Sequence, residues 1–267
     1  MMNTELKKNN QEKALGKVKI QIRGLSKSFG KQVVLSDLNL DIYENESLVI
    51  LGGSGCGKSV LIKCIVGLLK PDTGSIKLDG FDLLSLSKNK HEELMRKFGF
   101  LFQKGALFDS LKVWENISFL FIYHKNVGIE DARKIAAENL LKVGLDSSVL
   151  DMYPAQLSGG MQKRVAFART IAHTPEILFF DEPTTGLDPI MTNVVNELII
   201  RCRNILKATS VTITHDIGSA RKIATRVAML YKGKIVWIGD VKNLDDPKDE
   251  ILKQFIQGGI KGPIMVG

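Results

Sequence analysis

Residues 52–59 read Gly52-Gly53-Ser54-Gly55-Cys56-Gly57-Lys58-Ser59, between the apolar run Leu48-Val49-Ile50-Leu51 and an apolar stretch from Val60 to Leu69. The first run has the length and composition of a buried strand, the second those of a helix. A chain that leaves a strand through glycines and enters a helix turns successive backbone N–H groups inward. The positive end of the helix is added to them, so the turn cradles phosphate oxygens. In a G-x-x-x-x-G-K-S loop the lysine, here Lys58, pairs with the β- and γ-phosphates, and the serine, here Ser59, ligates Mg²⁺. The segment predicts a nucleoside-triphosphate site at the carboxyl end of a strand in an α/β fold.

Two further motifs follow in order. Residues 157–162 read Leu-Ser-Gly-Gly-Met-Gln and lead into the basic pair Lys163-Arg164 and an apolar helical pattern through Ala172. Ser-Gly-Gly by itself usually marks a turn, but at a helix start it is a second anion-binding end. Ile177-Leu178-Phe179-Phe180 then reads as a buried strand that ends in Asp181 and Glu182. Adjacent carboxylates on an extended chain point to opposite sides and can do different work.

The three motifs in this order resemble the nucleotide-binding subunit of ABC transporters, from about Val18 to about Asp240. The resemblance implies a P-loop NTPase (RecA-like) parallel-sheet core with an antiparallel β subdomain and an inserted helical subdomain. It also implies ATP and Mg²⁺ as ligands. Asp181 would hold Mg²⁺ through water, and Glu182 would polarise the attacking water. Gln103 looks like the Q-loop glutamine, touching Mg²⁺ and water and sensing the transporter partner. Gly186-Leu187-Asp188-Pro189 looks like the D-loop, and Thr214-His215-Asp216 like the switch histidine that contacts the γ-phosphate. Phe29 stands where an aromatic side chain stacks on adenine. The signature residues Ser158, Gly159 and Gly160 would complete the γ-phosphate site of a second chain, so that two ATP are sandwiched in a head-to-tail homodimer. One departure is Met161, where the family usually has Gln; the Ser-Gly-Gly backbone donors are unaffected by it.

Composition limits the alternatives. The chain has 267 residues, 44% apolar and 25% charged, which suits an ordinary globular protein. No apolar run approaches the ~20 residues that cross a bilayer. The first seventeen residues lack the apolar core of a signal peptide. Cys56, Cys64 and Cys202 have no metal-like spacing and read as free thiols of a reducing compartment. The net charge of +8 is dispersed rather than blocked, which argues against a nucleic-acid partner and is compatible with an anionic membrane surface. With the resemblance, this places the chain at the cytoplasmic face of the inner membrane, peripherally, against an integral-membrane permease.

Along the chain, residues 1–16 read as a mobile polar tail, 17–240 as the ATPase domain and 241–267 as a C-terminal extension. Residues 18–41 suggest two antiparallel strands joined around Gly30-Lys31. Residues 88–174 read as the helical subdomain, apart from a strand near 98–102. Strands near 177–181, 210–214, 226–231 and 234–238, with helices near 190–207 and 217–223, predict a parallel sheet covered on both faces. No internal repeat is present, so a single cassette is expected to work as a pair.

The stretch after Gln103 bears on the cargo. Gly105-Ala106-Leu107-Phe108-Asp109-Ser110 resembles the ATPases of MCE-associated lipid-trafficking systems, those that maintain outer-membrane lipid asymmetry. So do the Ser-Gly-Gly-Met signature and the ending Gln254-Phe255-Ile256-Gln257-Gly258-Gly259. That resemblance implies phospholipid as cargo and, through the permease, a substrate-binding MCE-type protein. The alternative is the ATPase of a polar-solute importer, for example of amino-acid type. A chromosome-organising ATPase would need a coiled-coil insertion for which there is no room, and a translation-type protein would carry two cassettes. Leu107, Phe108 and Val113 form an apolar group that is expected either to meet the permease or to fill the subdomain's own core.

Overall fold

The computed structural model describes residues 16–103 and 105–264. The expected N-terminal tail lies almost wholly outside the described residues. Two sheets form the frame. The first is antiparallel, with β1 (Val18–Phe29), β2 (Gln32–Tyr43), β4 (Thr73–Leu78) and β5 (Phe81–Asp82) in the order β2-β1-β4-β5. The second contains β3 (Ser47–Leu51), β6 (Phe98–Leu101), β7 (Ile177–Asp181), β8 (Thr209–Thr214), β9 (Arg226–Tyr231) and β10 (Lys234–Asp240) in the order β10-β9-β3-β8-β7-β6. β3 pairs in parallel with β8 and β9, and β7 in parallel with β6 and β8.

The alternation of side chains along β3 divides the interior. Leu48 and Ile50 enter one core, between the two sheets, and Val49 and Leu51 enter the other, on the opposite face. All four are fully buried, each stabilising the fold by ~1.5–3 kcal/mol. The core between the sheets also takes residues of α1 (Lys58–Ile65) and α2 (Lys88–Met95), with Phe98 edge-on to Phe179 at 5.2 Å. The other core is roofed by α3 (Val113–Lys125), α4 (Ile129–Lys142), α5 (Gly159–Ile171), α6 (Pro189–Leu206) and α7 (Ile217–Ile223). A last helix, α8 (Glu250–Gln257), adds Leu252 to it.

One expectation about the sheet is corrected. No helix separates the last two strands: β9 and β10 form an antiparallel hairpin, so the sheet is parallel except at one edge. Lys232 and Gly233 turn it with φ of 46° and 75°. That is the pair of left-handed residues a two-residue hairpin needs. The hairpin tip lies against β2. The Ser36 N–H donates to the Gly233 carbonyl at 3.0 Å.

Candidate functional site

The phosphate loop leaves β3 at Leu51 and is shaped by what its glycines exclude. A Cβ on Gly52 would stand 2.6 Å from both Cys56 Sγ and the Leu230 carbonyl oxygen. A Cβ on Gly57 would stand 2.9 Å from the Val34 carbonyl oxygen, and Gly57 has φ +107°. Side chains at these two positions would push the loop off the frame. Gly53, Ser54, Gly55, Gly57, Lys58 and Ser59 line a cleft of about 850 Å³, a size suited to a nucleotide. Gly52 and Cys56 lie behind it, with Cys56 packed against the core between the sheets.

Lys58 opens α1 and is buried. Its Nζ donates to the carbonyls of Gly52 at 2.7 Å and Gly53 at 3.0 Å, and pairs with Glu182 Oε1 at 3.2 Å. Ser59 Oγ donates to Asp181 Oδ1 at 3.3 Å. Burial pushes the Asp181 carboxyl up, the Ser59 bond opposes this, and the neighbouring Glu182 charge adds to it. The Asp181 carboxylate and the Ser59 hydroxyl bonded to it are a pair of hard oxygen groups. They suit an ion that otherwise draws its ligands from water and phosphate, as Mg²⁺ does.

Glu182 turns away from its neighbour because its backbone is left-handed, with φ +46°. Its N–H is held by the Ile213 carbonyl at 3.0 Å. Its Oε2 accepts from Thr185 Oγ1 at 2.9 Å and meets His215 Nδ1 at 2.9 Å. Asp181 therefore meets the cleft only through Ser59, whereas Glu182 lines it and faces Lys58 and His215. Gln103 and His215 complete the rim on that side. Phe29, at the end of β1, forms the other rim; its ring is half exposed, with Lys27 Nζ 5.6 Å from the centroid.

Ser158, Gly159 and Gly160 are not in this cleft. Ser158 caps α5, its Oγ accepting from the Met161 N–H at 3.3 Å, and a Cβ on Gly159 would meet nothing within 4 Å. Met161 packs half-buried against the core, which gives a methionine there a physical reason.

Several residues of the site were not legible in the sequence. Lys163 Nζ donates to the carbonyls of Gln103 at 3.0 Å and Pro183 at 3.1 Å, tying α5 to the segments after β6 and β7; burial pushes this amine down. Its sequence signal was only a basic pair beside a signature. Thr185, Ile217 and Phe255 also line the cleft, and no pattern announced them.

Cys56 carries a prediction. Burial pushes its thiol above the ordinary value, with the Lys58 charge acting against this. The thiolate is the reactive form. Alkylation of Cys56 is therefore expected to be slow at neutral pH, to accelerate as pH rises, and to be slowed by ATP because an adduct must displace the loop. Cys64 and Cys202 are buried, with thiols pushed up to about 11 and about 12. Cys56→Ser should resist inactivation; equally fast loss of activity in that variant would assign the effect to another thiol.

Cleft, loop and paired carboxylates define a P-loop nucleoside triphosphatase. Comparison with known proteins narrows this further. The family model described as ABC transporter matches residues 35–185, more than half of the chain, and the chain belongs to that family as an ATP-binding ATPase. A probable ribonucleotide transport ATP-binding protein, mkl, of Mycobacterium leprae (strain TN) is 38% identical over 247 residues, covering 92% of this chain and 71% of that one. The intermembrane phospholipid transport system ATP-binding protein MlaF of Haemophilus influenzae is 36% identical over 245 residues, covering 92% of each chain. Among solved structures, a dimeric post-hydrolysis state of the ATP-binding cassette MJ0796 bound to ADP and Pi is similar with TM-score 0.74 and 32% identity. That match covers 83% of this chain and 98% of the other.

Proposed function

We propose that this chain is the ATP-hydrolysing subunit of a transporter that moves phospholipid between membranes through a separate permease. The observation that carries the ATPase mechanism is the convergence of Lys58, Ser59, Gln103, Glu182 and His215 on one cleft, while Ser158–Gly160 stand outside it. Phosphoryl transfer needs positioning and charge neutralisation more than covalent chemistry. The loop N–H groups and Lys58 hold the β- and γ-phosphates. Phe29 stacks on the base. Glu182, oriented by Thr185 and His215, takes the proton of the attacking water, and His215 holds that water against the γ-phosphate. Ser59 and Asp181, with Gln103, would hold Mg²⁺, which when bound neutralises charge on the β- and γ-oxygens. The signature of a second copy supplies Ser158, Gly159 and Gly160, so each site is whole only in a homodimer, and the dimeric cassette with ADP and Pi supports this arrangement. ATP closes the pair and hydrolysis opens it.

No described helix is long and apolar enough to cross a membrane. The chain would sit peripherally at the cytoplasmic face of the inner membrane, on its permease and, through that, an MCE-type protein. Phospholipid as cargo is supported by the phospholipid-transport relative, which this chain matches over 92% of both lengths, and by the Gly105–Ser110 stretch. A polar-solute cargo of amino-acid type is favoured by the methionine import ATP-binding protein MetN of Lactobacillus johnsonii, 34% identical over 248 residues, of which the chain covers 70%. Copurification from detergent-solubilised membranes, with mass spectrometry of the retained proteins and lipids, separates the two. Phospholipid should be retained with the permease; a complex that retains none, and whose ATPase activity an amino acid such as methionine stimulates, would overturn the lipid reading.

The apolar group after Gln103 divides in the structure. Val113 is fully buried and belongs to the core, and Leu107 packs half-buried against it. Phe108 is 39% exposed, its ring 4.8 Å from Phe119 and 4.8 Å from the Arg169 guanidinium. The buried Asn116 pins this loop, accepting from the Phe108 N–H at 2.8 Å and donating to the Leu111 carbonyl at 2.9 Å. Phe108→Ser is expected to leave ATP binding intact, to cost well under the ~3–5 kcal/mol of a buried phenylalanine, and to weaken permease association. Val113→Ser should instead lower the melting temperature. A pull-down beside a thermal melt reads both. Full permease binding by Phe108→Ser would end the coupling role.

A further inference from the structure

We propose that Ser219 and Asn196 are positioning residues for His215, acting through Asp216. The inference rests on the role given to His215 above. The His215 side chain is 55% exposed, and its ring bonds only to Glu182 among the described contacts. Its place over the cleft is therefore set by its neighbours on either side. Thr214 ends β8, and its Oγ1 accepts the Asp216 N–H at 3.0 Å. Asp216 caps α7, with Oδ1 accepting the Gly218 N–H at 2.9 Å. Its other oxygen, Oδ2, accepts from Ser219 Oγ at 2.6 Å. Ser219 Oγ in turn accepts from Asn196 Nδ2 at 3.0 Å and stands 3.5 Å from Thr184 Oγ1.

The chain of donors runs in one direction, from the Asn196 amide to the Ser219 hydroxyl to the Asp216 carboxylate. Because the serine proton goes to the carboxylate, Ser219 can only accept from Asn196, and this fixes which end of the amide faces it. Asn196, Ser219 and Thr184 are all buried. Capping α7 does not require them, since backbone N–H groups suffice for an N-cap aspartate. Asn196 lies on α6 beside the core residues Val195, Leu198 and Ile199, where an aliphatic side chain would incur no polar burial. Its Oδ1 is buried without a hydrogen-bond partner. A core position that holds an amide with one orphaned acceptor is carrying a cost for what the other end of that amide does.

What it does is geometric. Thr184 follows Glu182 by two residues, and Ser219 follows His215 by four. The buried contact of Thr184 and Ser219 therefore lies behind the Glu182–His215 contact, and the two segments are joined at two levels. Without the inner level, the Asp216 carboxylate loses its side-chain partner and His215 is held on one side only.

The test uses the purified full-length chain with MgATP, single-turnover hydrolysis, and binding of a fluorescent ATP analogue. Ser219→Ala is expected to lower the hydrolysis rate about tenfold, within the ~10²-fold that a misplacement of about 1 Å costs, with analogue affinity unchanged. Ser219→Thr, which keeps the hydroxyl, should restore most of the rate. Asn196→Leu, which fills the core without the amide, should lower it in the same way. In a His215→Ala background, Ser219→Ala should have no further effect. Equal losses in both backgrounds, or a Ser219→Ala rate within twofold of wild type, would overturn the proposal. Wild-type turnover by His215→Ala alone would instead overturn the role given to His215.

Discussion

Glu182→Gln is expected to reduce steady-state ATP hydrolysis by at least ~10²-fold, the scale of a lost general base, while ATP binding persists or tightens. The amide is nearly isosteric and can still accept from Thr185 Oγ1, which now donates to Glu182 at 2.9 Å. It cannot take a proton from water. It also withdraws a negative charge that stands 3.2 Å from Lys58, leaving that cation wholly to the triphosphate. The variant should accumulate as an ATP-bound dimer, visible by size-exclusion chromatography with MgATP. Near-wild-type turnover in the assembled transporter would refute the base assignment.

Lys58→Ala is expected to act earlier, on affinity. The side chain is buried and brings its charge to the carbonyls of Gly52 and Gly53, within the phosphate loop. Hydrogen bonds involving charged groups contribute ~1.5–3 kcal/mol, so ATP affinity should fall by about 10- to 100-fold. The loss should be absent or small for adenosine, which lacks the phosphates. Equal ATP affinity in wild type and variant, measured by calorimetry, would sink the claim that Lys58 closes the loop. The two variants thus separate binding from chemistry: one keeps ATP and loses turnover, the other loses ATP.

Much of this site was legible because its chemistry needs backbone as well as side chains. Gly52 and Gly57 can be read in advance since no Cβ fits where they stand, and strand β3 since all five of its residues are buried. Asp181 and Glu182 could be read as an adjacent pair that faces different partners, although in the structure Glu182 also has a left-handed φ that strand alternation does not predict. The β9–β10 hairpin was missed although it could have been read: a parallel pair needs a crossover of a dozen or more residues, and only Lys232-Gly233 separates the two runs. Lys163 and Ser219 were not legible at all. Lys163 bonds to residues 20 and 60 positions away, and Ser219, beside its local bond to Asp216, to Asn196 and Thr184, 23 and 35 positions away; such distant bonds leave no local pattern. Phe108 and Val113 looked alike in sequence and differ because one faces α3's outer surface and the other the core.

The β9–β10 hairpin bears on timing. Its tip is bonded to β2 through Ser36 and Gly233, and the phosphate loop is wedged against β2 at Val34 through Gly57. The antiparallel sheet that carries Phe29 is thereby tied to the other sheet and to the loop that leads from it to Lys58. On the proposed placement of the nucleotide, base and phosphates would be gripped by parts tied to each other through β2. The release of spent nucleotide should then be clocked by the parting of two chains, not by the breathing of one.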